Sequence, residues 1–531
     1  MSTKNGNPLY PFYENALKHP ESLALWVDGL SYSYMELASE ASRIAEWLMA
    51  CNDRPGRVAI LTNRSIASYL GILATGWIGA CYVPLNPTFP EKRLLQIIHQ
   101  ARPEALVVGN ECIPLLTTEI IKCFPNQIFI ANADSVETHG QLIHGLDKLS
   151  RTAELKPPAR VHPSAESYLV FTSGTTGTAN VVAINAGNLN FALNSLIQNY
   201  SFDASDRFSQ FFEISFDFSI MDIFIPWQVG ASTHVVPSSQ RLGPANFIRE
   251  QQLTAWTCVP NMINLMDQMK MLTPGIFPSI RFSCFSGETL TATAAQKWQE
   301  ATPNGIVVNL YGQTEAPIGS LVQTFSADVA LTEETGGVAI GRTLPGTKVA
   351  IIDEEDNFVK QGELVIAGPH ITTGYLNNPQ RNAEKFKQLT HPDFGLQTWY
   401  CSGDLARQDE NGIFHFLGRT DNELKISGYR IVSEEVEHYL RKVSGVHSVA
   451  ATPWYNKFGT AEAFICFIVT PDNIDEQAIK KAMCNILPRP LVPRRIFAIR
   501  DLPLNANGKI DRPALAQLAI SKINESRQQL P

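Results

Sequence analysis

An apolar run, Tyr168–Phe171, leads directly into Thr172-Ser-Gly-Thr-Thr-Gly177. That order reads as a buried strand ending in a loop of small and hydroxylated residues. Glycines let a backbone approach an anion closely, and N–H and hydroxyl groups supply donors. The pattern is not a Walker A loop, because no Gly-x-x-x-x-Gly-Lys-Ser/Thr is present. Taken alone it also fits a Ser/Thr-rich surface turn. A strand of this kind needs a sheet to sit in, and the surrounding sequence supplies one. Ser33-Tyr-Met-Glu36 is a capping box that opens a helix with Leu37, Ala41, Ile44 and Leu48 on its apolar face. Arg57–Thr62 reads as a buried strand. The uncharged stretch from Ser65 to Pro90 predicts a buried helix followed by a strand, since Leu70–Val83 is shorter than the roughly 20 residues a membrane span needs. Further strands are expected at 281–286, 306–311, 347–352 and 363–367. Alternating helical and strand-like segments give an α/β fold of mixed sheets and helices. Residues 133–165 are polar and read as an exposed connection.

The chain has 531 residues, more than one hydrophobic core usually spans, so at least two folded units are expected. The texture changes at Gly418-Arg-Thr-Asp421. Beyond it a short helix (434–442), strand-like runs (447–452 and 461–469) and a helix from about Asp475 make a small α+β domain. The expected division is 1–420, a large N-terminal unit of several subdomains, and 421–531, a small C-terminal domain joined by a hinge.

Composition narrows the function classes. A hydrophobic fraction of 44% excludes disorder as the main character. The formal net charge of −8 argues against a nucleic-acid partner. Nine widely spaced cysteines without a Cys-x-x-Cys read as reduced thiols, and the first residues carry no apolar signal segment, so a cytoplasmic location with no membrane span is expected. Eleven scattered histidines with no His-Glu-x-x-His disfavour a metalloenzyme.

Four more segments follow the Thr/Gly loop in order: Asn309-Leu-Tyr-Gly-Gln-Thr-Glu315, Tyr400-Cys-Ser-Gly-Asp404, 418–430 (GRTDNELKISGYR) and Asn507-Gly-Lys-Ile-Asp-Arg512. Singly, Tyr311 reads as a core aromatic, Asp404 as a turn former, Arg419 as a surface charge and Lys509 as part of an ordinary turn. Jointly and in this order, the set resembles the ANL superfamily: acyl- and aryl-CoA synthetases, luciferases and the adenylation domains of peptide synthetases. The resemblance runs from residues 30–38 through 82–87 to the C-terminal lysine motif.

The resemblance implies a two-step reaction using ATP and Mg²⁺: a carboxylate displaces pyrophosphate from ATP, and the acyl group then passes from AMP to a thiol. It implies that Thr172, Ser173, Gly174, Thr175, Thr176 and Gly177 hold the β- and γ-phosphates. Glu315 would hold Mg²⁺, Tyr311 would stack on adenine and Asn309 would bond its edge. Asp404 and Arg419 would hold the ribose, with Gly287, Glu288, Gly312 and Thr314 completing the nucleotide site. Lys509 would bridge substrate carboxylate and phosphate. Asp421 matches the hinge about which the small domain rotates. Lys425 and Gly428 would then face the thioester-forming site, Gly428 leaving room for a pantetheine arm. Three departures stand out: Asn180 replaces the usual loop lysine, Cys401 and Ser402 replace arginine and threonine, and Gln313 replaces proline.

Asp217, in Phe216-Asp-Phe-Ser-Ile-Met-Asp222, matches the aspartate that pairs with the α-ammonium in amino-acid-activating members. A carboxylate beside an apolar pocket is costly unless a cation joins it. The other reading is a strand-end Asp capping the next helix. By the same resemblance the side-chain pocket is Phe218, Met221, Thr257, Cys284, Ser286, Leu310, Ile318 and Gly319. This lining suits a small neutral side chain. Residues 216–222 and Phe285-Ser-Gly-Glu288 look most like D-alanine:carrier-protein ligases and free-standing prolyl carrier-protein synthetases. Ser286 replaces a cysteine usual in the alanine ligases, which favours L-proline, with alanine of either hand and glycine left open. No carrier-like segment follows Arg512 in the sequence, so the implied partner is a phosphopantetheinylated carrier protein acting in trans. An acyl-CoA synthetase and a non-catalytic nucleotide-binding relative remain the competing expectations.

Overall fold

The computed structural model describes residues 5–51, 54–150, 155–172, 179–419, 423–426, 429–446, 448–456, 461–471, 474–503 and 510–528. They form two compact units. One comprises Met1–Pro87, Ile97–Val170 and Val181–Thr420; the other comprises Thr88–Gln96, Phe171–Asn180 and Asp421–Pro531.

The strands Arg57–Leu61 and Cys81–Leu85 pair in parallel and belong to a six-stranded sheet that continues through Ala105–Val108 and Ile128–Ile130 on one side and Glu166–Thr172 and Asn180–Asn185 on the other. Helix Ile66–Trp77 joins the first two strands and is buried along nearly all of its length, as its uncharged sequence requires. The strand Cys81–Leu85 follows it, as expected, and no helix among the described residues is long and apolar enough to cross a membrane. The capping box forms: the Ser33 N–H donates to Glu36 Oε2 at 2.7 Å and the Glu36 N–H to Ser33 Oγ at 3.2 Å.

A second, larger sheet runs Arg342–Thr343, Ala316–Thr324, Ile306–Gln313, Phe282–Phe285, Ala255–Cys258, Arg207–Gln210, Ser232–Val235, Leu23–Val27 and Leu30–Ser33. Its middle strands are parallel; its two ends are antiparallel. Trp256 and Trp298 stack at 6.1 Å in the core packed on this sheet, both fully buried. Truncating such a side chain costs about 3–5 kcal/mol. A third, antiparallel sheet is built from Lys348–Ile352, Gln361–Ala367, Phe386–His391, Gly395–Gln408 and Phe414–Arg419.

One expectation is corrected. The polar stretch 133–165 is not only a connection: Val136–Thr138 pairs antiparallel with Gln141–Ile143. His139 and Gly140 turn the hairpin with φ of 49° and 73°, the left-handed pair that a two-residue turn requires. A short strand with little apolar content leaves no alternation to read.

In the second unit, Val449–Tyr455, Ala461–Val469 and Arg495–Ile499 form a three-stranded sheet. Helices Ser433–Ser444, Glu476–Cys484 and Arg512–Gln528 accompany it, and Glu423–Ile426 pairs with Tyr429–Val432. Asp475 caps its helix by accepting the Ala478 N–H at 2.9 Å.

Candidate functional site

The hairpin Ile306–Gln313/Ala316–Thr324 organises the site in the first unit. Side chains alternate along a strand, so Asn309, Tyr311 and Gln313 share one face and Leu310 takes the other. Tyr311 packs with Ala316, Leu321, Ile340 and Tyr400 against the third sheet. Leu310 and Ile318 join the large core with Phe218, Met221 and Cys284. The hairpin thus parts two chemically different neighbourhoods.

The first is polar, and it is anchored on Asp404. Asp404 and Arg419 stand directly opposite in the antiparallel pair Gly395–Gln408/Phe414–Arg419. Opposite charges at such a position attract, and the Arg419 guanidinium donates to Asp404 Oδ1. The Tyr311 hydroxyl donates to Asp404 Oδ2, as does Gln313 Nε2 at 2.7 Å. The Asp404 N–H donates to Ser402 Oγ at 3.0 Å. Asp404 is only 3% exposed, so these partners replace the water it gives up. Burial, with the Asp404 charge beside it, pushes the Tyr311 phenol pKa well up, so this hydroxyl stays a donor. Asn309 Nδ2 donates to the carbonyls of Val338 and Ala339, each at 3.0 Å, which turns its Oδ1 the other way.

Thr314 and Glu315 form the two-residue turn of the hairpin. Glu315 is fully buried; its Oε1 accepts the Tyr375 hydroxyl at 2.5 Å, and its carbonyl accepts the Thr372 N–H at 2.9 Å. A carboxylate held this way is the hard oxygen ligand that Mg²⁺ takes. Among the described residues no group of three or more His, Cys, Asp or Glu could hold a metal ion by itself. Glu288 Oε2 accepts the Asn261 N–H at 3.2 Å, and Gly287 follows strand Phe282–Phe285 at φ 92°.

The second neighbourhood is apolar. Thr257 and Cys284 are register partners on adjacent parallel strands, both buried, with Ser286 two residues beyond Cys284. Burial pushes the Cys284 thiol well up, so it is a neutral wall. Ile318 has φ 69°, which a β-branched residue rarely adopts. Next to it, a Cβ built on Gly319 would come within 2.6 Å of Leu310 Cδ1. Asp217 lies between Phe216 and Phe218, which both pack on Phe212 at 5.3 and 5.1 Å. The helix that follows, Ser219–Val229, has Phe218 as its N-cap, and the Ile220 N–H donates to the Asp217 carbonyl at 3.1 Å. The Asp217 charge reaches Tyr168, which stacks on Tyr82 at 5.6 Å.

Several functional neighbours were not singled out from sequence. Asp222, five residues after Asp217, is fully buried with the Thr257 hydroxyl donating to it and the Phe211 N–H at 3.3 Å. Burial pushes its pKa well above the usual carboxylate range. Tyr375 carries no motif that would single it out, and Tyr400 and Ser402 were read as parts of a motif without a role of their own.

Thr172 ends its strand, 6% exposed, and groups with the second unit. Ser173, Gly174, Thr175, Thr176, Gly177, Asp421, Gly428 and Lys509 lie outside the described residues. Lys425 sits on strand Glu423–Ile426, its side chain outside them. Just after the Lys509 segment, Arg512 donates to Glu437 Oε1 at 2.8 Å, to the Ala451 carbonyl at 2.5 Å and to Glu434 at 3.3 Å. Glu437 is 3% exposed, so the end of this motif is anchored to helix Ser433–Ser444.

The chain is 28% identical over 515 residues to a D-alanine--D-alanyl carrier protein ligase of Lacticaseibacillus paracasei, covering 94% of this chain and 96% of that protein. It is 29% identical over 513 residues to tyrocidine synthase 3 of Brevibacillus parabrevis, covering 95% of this chain but 8% of that protein. The fold superposes on the Vibrio cholerae adenylation domain AlmE, solved with glycyl-adenosine-5'-phosphate, with a TM-score of 0.86 and 28% identity over 98% of both chains. The family model of the AMP-binding enzymes matches residues 12–376, which include every part of the hairpin site up to Tyr375, and the chain belongs to that adenylate-forming family.

Proposed function

We propose that this enzyme activates a small neutral amino acid with ATP and passes it to the phosphopantetheine thiol of a separate carrier protein. One observation carries the reading: the hairpin Ile306–Gln313/Ala316–Thr324 has a charged, hydrogen-bonded cluster on one face and an uncharged wall on the other. A nucleotide fits the first and a short aliphatic side chain the second.

In the first step a carboxylate oxygen of the amino acid attacks the α-phosphorus, and the bond to the β-phosphate oxygen breaks with release of pyrophosphate. Mg²⁺ arriving with the nucleotide offsets phosphate charge, and Glu315 is the residue that would hold it. Asp404 and Arg419 take the ribose hydroxyls. Asn309 offers Oδ1 to the adenine amine, and the Tyr311 ring carries the base. Gly287, Glu288, Gly312 and Thr314 line the rest of the nucleotide. Thr172 with residues 173–177 cradles the outer phosphates, and Lys509 bridges carboxylate and α-phosphate. Asp217 pairs with the α-ammonium. In the second step the thiolate sulfur attacks the acyl carbonyl carbon, and the carbon–oxygen bond to phosphate breaks as AMP leaves. Residues 421–531 act as a mobile lid that turns about Asp421, exchanging Lys509 for Lys425 and Gly428.

L-proline is the leading substrate, because Ser286 leaves more room beside Cys284 than a cysteine there. D-alanine or glycine is the second reading. It is favoured by the near full-length relative being a D-alanyl carrier protein ligase and by the glycyl adenylate in AlmE.

Single-turnover assays of each step test the scheme. Lys509→Ala should abolish adenylation while leaving transfer from preformed aminoacyl-AMP largely intact, and Lys425→Ala should do the reverse. Equal loss of both steps in both variants would contradict a two-geometry cycle.

A further inference from the structure

We infer that Gln313, which stands where the motif usually has proline, is a positioning residue that holds the Asp404 carboxylate in line for the nucleotide sugar. The inference rests on the assignment of Asp404 to the ribose.

Gln313 is 5% exposed, and both ends of its amide are engaged. Its Oε1 accepts the Tyr400 hydroxyl at 2.6 Å. Its Nε2 donates to Asp404 Oδ2 at 2.7 Å and to the Ser402 carbonyl at 3.1 Å. The Tyr400 bond fixes which end of the amide faces Asp404: a phenol donor requires the oxygen on its side, so the NH₂ must face the carboxylate. Tyr400 is itself fully buried, packed against Phe386 at 5.3 Å, so the clamp starts from a rigid ring. Ser402 is tied in turn, its hydroxyl donating to the Leu364 carbonyl at 2.6 Å while its Oγ accepts the Asp404 N–H.

The result is a chain from Tyr400 through Gln313 to Asp404 that joins the hairpin to the third sheet. Arg419 donates to Oδ1 and Gln313 to Oδ2, so the two oxygens are held from opposite sides and the carboxylate plane cannot rotate without breaking one bond. Buried hydrogen-bond networks whose members are all satisfied specify one geometry. A proline at 313 has no side-chain donor and would leave Oδ2 with the Tyr311 hydroxyl alone among these two. Tyr400, the first residue of its motif, then has a role that its position in the sequence does not disclose.

The test is a cycle of protein and nucleotide changes, because removing a positioning group and removing the hydroxyl it serves should not add. ATP–pyrophosphate exchange is measured for the wild type, Gln313→Leu and Tyr400→Phe with ATP, 2′-deoxy-ATP and 3′-deoxy-ATP, each protein first checked for an unchanged thermal transition. In Gln313→Leu, KM for ATP should rise about tenfold and KM for the amino acid should stay within about twofold. The penalty for at least one deoxynucleotide should shrink severalfold relative to wild type. Tyr400→Phe, which keeps the ring and loses the donor, should shift the same quantities by about threefold. Should Gln313→Leu fail to fold, Tyr400→Phe alone decides. A variant whose KM for ATP is unchanged, or which loses ATP and deoxynucleotide turnover by one common factor, overturns the positioning role while leaving the Asp404 assignment intact. A wild type that does not distinguish ATP from either deoxynucleotide overturns the Asp404 assignment and the inference built on it.

Discussion

The two faces of the hairpin Ile306–Gln313/Ala316–Thr324 are built on opposite principles. On the Asp404 face, Tyr311, Gln313 and Arg419 converge on one buried carboxylate, so position is set by directional, charge-assisted bonds. On the other face, Thr257, Cys284, Leu310 and Ile318 set position by shape, and the charge there comes from Asp217 alone among the predicted pocket residues. The first arrangement suits a ligand that never changes. The second suits one that differs between relatives, since a methylene more or less in an apolar pocket is worth only about 1–3 kcal/mol. On the proposed function, one backbone element would separate the nucleotide half of the reaction from the selective half.

The comparison can be broken at its strongest point first. Asp217→Ala should cut amino-acid-dependent pyrophosphate exchange about 100-fold or more, on the order of 3 kcal/mol for stranding the α-ammonium without its partner, with KM for ATP nearly unchanged. A variant with full activity on a simple carboxylic acid would instead revive the acyl-CoA synthetase reading. Next in size, Asp404→Asn should raise KM for ATP roughly 10- to 100-fold, about 1.5–3 kcal/mol for hydrogen bonds to a charged group, and leave KM for the amino acid alone. If both Michaelis constants move together in either variant, the two faces are not separate. Gly319→Ala is subtler. Its new methyl would crowd Leu310 Cδ1, so preference should shift by about tenfold toward a smaller amino acid, read as a ratio of kcat/KM values.

The smallest effect on turnover concerns the core behind the apolar face. His370 is fully buried, its Nε2 sharing a hydrogen bond with Ser320 Oγ at 2.9 Å, and burial lowers its pKa from 6.5 to about 4. The unfolded chain therefore binds a proton between pH 4 and 6.5 that the folded chain refuses. This contribution to stability is complete above pH 6.5 and is lost as pH falls toward 4, up to about 3 kcal/mol. Denaturant midpoints across that range should fall with a shallower slope in His370→Gln than in wild type, while exchange at pH 8 stays the same. Identical slopes would show that His370 is not the group responsible.

Much of this was legible in the sequence, and the legible parts share a cause. Strands such as Arg57–Leu61 and Phe282–Phe285 are short apolar runs between turn residues, and a period or a run is a local signal. Ser33 and Glu36 find each other because a capping box spans only four residues. The site motifs were readable as an ordered set, which is how Asp404, Tyr311 and Glu315 came to be singled out. What they are joined to was not readable. Gln313 and Tyr400 meet across 87 residues of chain, and Glu315 and Tyr375 across 60. Asp222 hides behind Asp217 because a helix turn places it against Thr257, a contact with no local signature. The hairpin at Val136–Ile143 was missed for a different reason: three-residue strands with polar faces carry no alternation.

The central claim is that the apolar face selects a small neutral amino acid held by Asp217. ATP–pyrophosphate exchange with the wild-type protein tests it most directly, run against L-proline, D- and L-alanine, glycine, larger amino acids, benzoate and short fatty acids. One strong response to proline, alanine or glycine, with the acids lacking an α-amino group silent, is the predicted result. A response confined to those acids, or silence throughout while ATP still binds, would contradict it.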